Sequence, residues 1–141
     1  MELLKDKPTY GQLSVISMKG CEEITDKIDW YLRQFRSEYD NSETYITHIK
    51  CPRFGSGEAK CVIHETLRGD DVYIITDCFN YSVTYDMYGM TVPMSPDDHF
   101  QDLKRIIGAV GGKARRISVI MPMLYEGRQH KRSGREALDC A

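Results

Sequence analysis

The 141-residue sequence contains no apolar run approaching the roughly 20 residues that a membrane-spanning helix needs. Its first residues, "MELLKDKPTYGQ", lack the basic and then apolar order of a secretory signal. No C-x-x-C occurs among the five cysteines, Cys21, Cys51, Cys61, Cys78 and Cys140, so neither a zinc knuckle nor a C-x-x-C redox pair is indicated. Their odd number and wide scatter point to reduced thiols in a cytoplasmic protein, with buried cysteines acting as small hydrophobes. His48, His64, His99 and His130 stand far apart, with no H-x-x-x-H or H-E-x-x-H, and no metal site is expected from this chain alone. A net charge of −2 rules out a polycation. The one basic stretch, "GRQHKRSGR", has no interleaved aromatics, so nucleic acid is not an expected partner. No internal repeat, low-complexity tract or linker interrupts the chain, which is read as one domain over 1–141.

What is present is globular in character, with 41% hydrophobic and 28% charged residues. "LSVISM" (13–18) is a β-branched run ending before Gly20 and reads as a strand. "CEEITDKIDWYLRQFR" (21–36) places Ile24, Ile28, Tyr31, Leu32 and Phe35 at helical spacing, acids first and arginines last, as the helix dipole favours. "TYITHIK" (44–50) and "EAKCVIHETL" (58–67) read as strands. "RGDD" (68–71) turns the chain into a fourth strand, "VYIIT" (72–76). Residues 77–94 show no clean period and read as a long connection with at most a helical turn. "SPDD" (95–98) opens a second helix: Ser95 is the cap, Pro96 the first position and Asp98 completes the box. Its inner stripe is Phe100, Leu103, Ile106, Ile107 and Val110, and Gly111-Gly112 stop it. "ISVIMPML" (117–124) is the last strand. Strands alternating with helices predict an α/β fold with a mostly parallel sheet and helices on both faces. In such sheets ligands bind beyond the carboxyl ends of the strands.

One of those ends delivers "YEGRQHKRSGRE" (125–136). Ser133 and Glu136 match S-x-x-E, which predicts a helix beginning near Gly134. Its free N–H groups beside Arg128, Lys131, Arg132 and Arg135 would make an anion site, since arginine binds phosphate as a fork. A solvated charged loop is the competing reading. In "RFGSGE" (53–58), Gly55 and Gly57 allow a tight loop, Phe54 offers a stacking face and Glu58 an acceptor; a hairpin turn with an incidental aromatic competes. "GAVGGKA" (108–114) fails as a P-loop, because Ile107 and Ala114 stand where Gly and Ser/Thr belong. "NYS" (80–82) and "RGD" (68–70) are read as incidental.

Together these stretches resemble one family. "RFGSGEAKCVIHETLRGDDVYIIT" is similar to the N-terminal block of ribose-phosphate diphosphokinases (phosphoribosyl pyrophosphate synthetases), R-F-x-D/N-G-E followed by a strand and R-G-x-D-V. "DLKRIIGAVGGKARRISVIMPMLYEGRQHKR" resembles their next block, which ends in Y-A-R-Q-D-R/K-K. The likeness spans most of residues 13–141. It implies a phosphoribosyltransferase-like α/β fold, present as the N-terminal half of a two-domain enzyme whose C-terminal domain lies beyond Ala141. It also implies transfer of the diphosphoryl group of ATP to ribose 5-phosphate, with Mg²⁺ as cofactor and catalytic residues downstream of Ala141. By the same resemblance Arg128 and Gln129 would hold ATP. Phe54, Ser56 and Glu58 would receive adenine from a neighbouring subunit, in a homo-oligomer built from dimers. Thr66 and Arg68 match positions that hold a regulatory phosphate, while Arg132 and Ser133 enter as anion candidates from their own local pattern. Ser56 stands where the family has Asp or Asn, and His130 where it has Asp. A non-catalytic nucleotide-binding or regulatory paralogue that assembles with active subunits is the alternative.

Overall fold

The structure, a computed structural model, describes residues 10–38 and 40–138. Along the chain run β1 (Leu13–Ser17), α1 (Glu22–Arg36), β2 (Ile49–Lys50), β3 (Val62–Ile63), β4 (Asp71–Ile75), β5 (Thr84–Met87), β6 (Met90–Pro93), α2 (Pro96–Val110) and β7 (Arg116–Ile120). The central sheet is parallel, in the order β1-β4-β7, with Val15 opposite Tyr73 and Tyr73 opposite Ser118. The expected α/β class and parallel sheet are what the chain adopts.

Alternation along the strands sends Ile16, Val72 and Ile74 to one face, where Leu103, Ile106 and Val110 of α2 close over them. Ile16, Val72, Ile74 and Ile106 are among the largest fully buried side chains, each stabilising by about 1.5–3 kcal/mol relative to exposure. Val15 and Ile75 face the other way and meet Cys21, Tyr45, Ile28 and Leu32 on the α1 side. This second face is only partly covered. Between α1 and the β7 edge lies an open groove of about 460 Å³, bounded by Leu32, Tyr73, Ile75 and Ile120.

The α2 expectations hold at both ends. Ser95 and Asp98 exchange both hydrogen bonds of a capping box, Pro96 opens the helix and Gly111 closes it in the left-handed region. Ile107 is a correction, because it is exposed, while His99 and Asp102 are buried in its stead. The inner face of α1 is a larger one. Ile24, Tyr31 and Phe35 point outward, Phe35 with 70% of its surface exposed. The buried stripe is Thr25, Ile28, Asp29 and Leu32, an equally good 3.6-residue pattern that shares only Ile28 and Leu32 with the expected one. Hydrogen bonding selects it. The Asp29 carboxylate accepts from the Tyr45 backbone N–H at 2.7 Å and the Thr44 hydroxyl at 3.1 Å, so the helix turns that side toward the neighbouring chain. Those two bonds satisfy a buried backbone donor and the buried carboxylate together, which an apolar side chain at position 29 could not do.

The strand expectations over 44–50, 58–67 and 117–124 are shortened, the last ending at Ile120, and the expected long connection is overturned. Residues 44–50 touch β1 through one parallel bridge, Val15 with Ile46, flanked by Val15 N–H to Tyr45 O and Thr47 N–H to Val15 O. Residues 58–67 keep only β3, antiparallel to β2. The 77–94 connection is a hairpin, β5 against β6, turning at Tyr88 and Gly89, which both have positive φ (49° and 79°). That two-residue turn matches the right-handed twist of the strands. Tyrosine in place of the usual Asn or Asp hides it from sequence inspection.

Candidate functional site

The loop of residues 52–60 grows from the β2–β3 hairpin and is closed by its own backbone. Phe54 N–H donates to Glu58 O at 2.7 Å, Gly57 N–H to Phe54 O at 2.9 Å and Lys60 N–H to Pro52 O at 3.2 Å. Gly57, at φ 90°, is required, since a Cβ there would strain the backbone and meet the Met87 sulfur at 3.1 Å. Arg53 pins the loop to α2. Its guanidinium donates to Asp102 at 2.6 Å and to Gly57 O at 2.8 Å, and stacks over the Tyr85 ring at 4.4 Å. The β5–β6 hairpin adds a further tie, Tyr88 N–H to Gly55 O at 3.0 Å. With its backbone held, the loop presents Phe54 outward with 52% of its surface exposed. Ser56 and Glu58 are exposed beside it, the Ser56 hydroxyl donating to Glu58 at 2.9 Å. Sequence reading found Phe54, Ser56 and Glu58 but missed the support from Tyr85, Met87 and Tyr88. The signal that could have found it was Gly89 between two β-branched stretches.

The second loop follows β7. Tyr125 anchors it: the ring stacks on Phe100 at 4.2 Å between centroids, and the hydroxyl donates to Asp97 at 2.5 Å. That hydrogen bond, then burial and the nearby carboxylates, push the Tyr125 phenol above its usual range. Gln129 N–H closes the turn on Glu126 O at 2.8 Å, leaving Arg128 exposed and Gln129 half-buried.

Beyond it the predicted helix does not form in the described residues. The Ser133 N–H does reach the Glu136 carboxylate at 2.6 Å, half of a capping box. However, Gly134 takes φ 86°, which is not a helical value, and the Arg132 guanidinium occupies the Glu136 carbonyl at 2.7 and 3.1 Å. The expected row of free helix donors after Ser133 is therefore absent here, and Arg132 is turned to its own chain.

Both loops flank the amino-terminal half of α2, one held through Asp98 and Asp102 and the other through Asp97 and Phe100. Thr66 and Arg68 lie elsewhere. They precede β4, beside Gly111 and Lys113 at the end of α2, around an open hollow of about 240 Å³. The length of β4, about 16 Å, separates that end of the sheet from the carboxyl edge where the 125–133 loop begins. The sequence-derived residues thus fall into two places.

Among the described residues no cluster of three or more His, Cys, Asp or Glu side chains could hold a metal ion. Among the same residues no helix is long and apolar enough to cross a membrane.

Comparison with known proteins gives this arrangement a context. No curated protein matches the chain. Among solved structures, it is similar to a phosphoribosylpyrophosphate synthetase from Mycobacterium smegmatis, with a TM-score of 0.60 and 22% sequence identity. That similarity covers 90% of this chain and 35% of the other, so the chain spans about a third of its structural relative. Residues 13–141 match the family described as the N-terminal domain of ribose phosphate pyrophosphokinase, and the chain belongs to that family.

Proposed function

We propose that the full-length protein transfers the β,γ-diphosphoryl group of ATP to the 1-hydroxyl of ribose 5-phosphate, giving phosphoribosyl pyrophosphate and AMP. Family membership across residues 13–141 carries this reading. The geometry supports it locally, because a half-exposed aromatic on a backbone-locked loop suits a flat base. Adenine, offered by a neighbouring subunit of a homo-oligomer built from dimers, stacks on Phe54 while Ser56 and Glu58 meet its polar edge. Arg128 supplies a charged fork to the phosphates and Gln129 a hydrogen-bonding partner for ribose or base. Thr66 and Arg68, at the opposite end of the strands, take a regulatory phosphate. Mg²⁺, held mostly by residues of the rest of the protein, would neutralise charge on the transferred group when bound. The four described cysteines are unpaired, which supports a cytoplasmic setting.

A non-catalytic nucleotide-binding or regulatory paralogue that assembles with active subunits is the second reading, prompted by Ser56, which stands where the family has Asp or Asn and donates to Glu58. Assay of the full-length protein for AMP and phosphoribosyl pyrophosphate separates the two. Product formation supports the enzyme, ATP binding without product supports the paralogue, and neither binding nor product overturns both.

A further inference from the structure

We infer that Cys51 and Cys61 are a redox modification site: a reversible cross-strand disulfide that fastens the neck of the 52–60 loop. The hairpin register places them. Ile49 is opposite Ile63 and Lys50 opposite Val62, and beyond the gap Arg53 is opposite Ala59, so Cys51 directly faces Cys61. The Phe54 N–H to Glu58 O and Lys60 N–H to Pro52 O bonds bracket the Arg53–Ala59 pair, which is therefore a non-hydrogen-bonded pair. By alternation the Cys51–Cys61 pair is of the same kind. Such pairs bring opposed Cα atoms to about 4.5 Å, within the roughly 4.4–6.8 Å that a disulfide spans. The two side chains also share a face, since Ile49, Cys51, Cys61 and Ile63 all pack against the α2-side core. Both are half-buried free thiols, open to a small reagent, whereas Cys21 and Cys78 are buried.

The chemistry is asymmetric. A hydrogen bond from the Cys51 thiol to the Cys61 sulfur lowers the Cys61 thiol from its usual range, and the same contact, with burial, raises Cys51. Cys61 is the first nucleophile. With a low-molecular-weight disulfide such as oxidised glutathione as oxidant, the Cys61 thiolate attacks one sulfur, the reagent's S–S bond breaks and one glutathione thiolate leaves. Cys51 then loses its proton to solvent, attacks the Cys61 sulfur of the mixed disulfide and expels the second glutathione thiolate. Two protein thiols give up two electrons and two protons, and one glutathione disulfide becomes two thiols. The product ties the chain immediately before Pro52 to the chain immediately after Lys60. This holds whatever ligand the loop receives, so it does not depend on the nucleotide reading.

The test equilibrates the 141-residue chain in mixtures of oxidised and reduced glutathione, quenches in acid, blocks thiols with N-ethylmaleimide and maps tryptic peptides by mass. The expected product links peptide 51–53 to peptide 61–68, exceeds every linkage involving Cys21, Cys78 or Cys140 by about tenfold, and disappears on reduction with dithiothreitol. Cys51→Ser should instead accumulate glutathione on Cys61, and Cys21→Ser or Cys78→Ser should leave the linkage unchanged. Amide exchange at Phe54 and Lys60 should slow by about tenfold on oxidation. Separate alkylation of Cys51 and Cys61 throughout the series, stable glutathione on both, or linkage to other cysteines or a second chain would overturn the site. Linkage without slower exchange would overturn the fastening of the loop.

Discussion

Arg53 and Asp102, separated by almost fifty residues of sequence, meet at 2.6 Å with only 9% and 8% of their side chains exposed. Asp102 also accepts from Arg105 at 2.5 Å, whereas Arg53 has as its further carboxylate Asp98 at 3.9 Å. Removing Asp102 leaves the buried Arg53 charge with the more distant Asp98 carboxylate and the Gly57 carbonyl. Asp102→Ala should therefore lower the unfolding free energy by about 3 kcal/mol or more. Arg105→Ala, on the more open side, should cost less than about 1 kcal/mol. The double change Arg53→Met with Asp102→Leu should recover much of the loss. Urea unfolding measures all three, and equal costs for Asp102→Ala and Arg105→Ala would refute the assignment.

The β5–β6 turn carries a tyrosine where the backbone favours a smaller polar residue. Tyr88 sits at φ 49° with 77% of its surface exposed, so little packing is lost on replacing it. Tyr88→Asn should raise stability by about 0.5–1 kcal/mol, because Asn tolerates the left-handed region better. A lower thermal midpoint for this variant would show that the exposed ring has a partner outside the chain or a packing role within it.

Arg128 bears the weight of the anion reading, since Arg132 is committed to the Glu136 carbonyl and no helix follows Ser133 in the described residues. In the full-length protein Arg128→Ala should raise the Michaelis constant for ATP by at least about tenfold, from the loss of roughly 1.5–3 kcal/mol of charged hydrogen bonding. The constant for ribose 5-phosphate should change much less. Steady-state kinetics decide, and unchanged ATP dependence would reject the role.

Asp40 links acid to stability. The Ser42 hydroxyl, the Tyr45 phenol, the Ser42 N–H and Arg36 all donate to its carboxylate, and together they hold it down to about 2. The unfolded chain binds that proton near pH 3.9, so the folded carboxylate stabilises fully above about pH 4 and loses this contribution as the pH falls toward about 2. The difference in urea midpoint between wild type and Asp40→Asn should be flat near neutrality and shrink across that window. A difference independent of pH would contradict it.

Much of this protein is determined by its sequence alone, where a local pattern has one physical solution. Ser95, Pro96 and Asp98 can satisfy the first α2 donors among themselves, and they do. The apolar runs of β1, β4 and β7, too short for helices and bounded by turn residues, read as strands, and they form the parallel sheet. "RFGSGE" announced its tight loop through Gly57, and the order of motifs announced the family. Tertiary structure decided wherever two local solutions were equally good or the partner lay far along the chain. The two stripes of α1 could not be ranked until Asp29 met the Tyr45 backbone. The capping sequence at Ser133 competed with Gly134 and Arg132 and did not produce a helix. Residues 77–94 carried no readable period because their purpose is set by contact: Tyr85, Met87 and Tyr88 fold back on the 52–60 loop. Likewise the facing of Cys51 and Cys61 exists only once the β2–β3 register is set, since pairing across a hairpin depends on the turn between the strands and leaves no mark in their spacing.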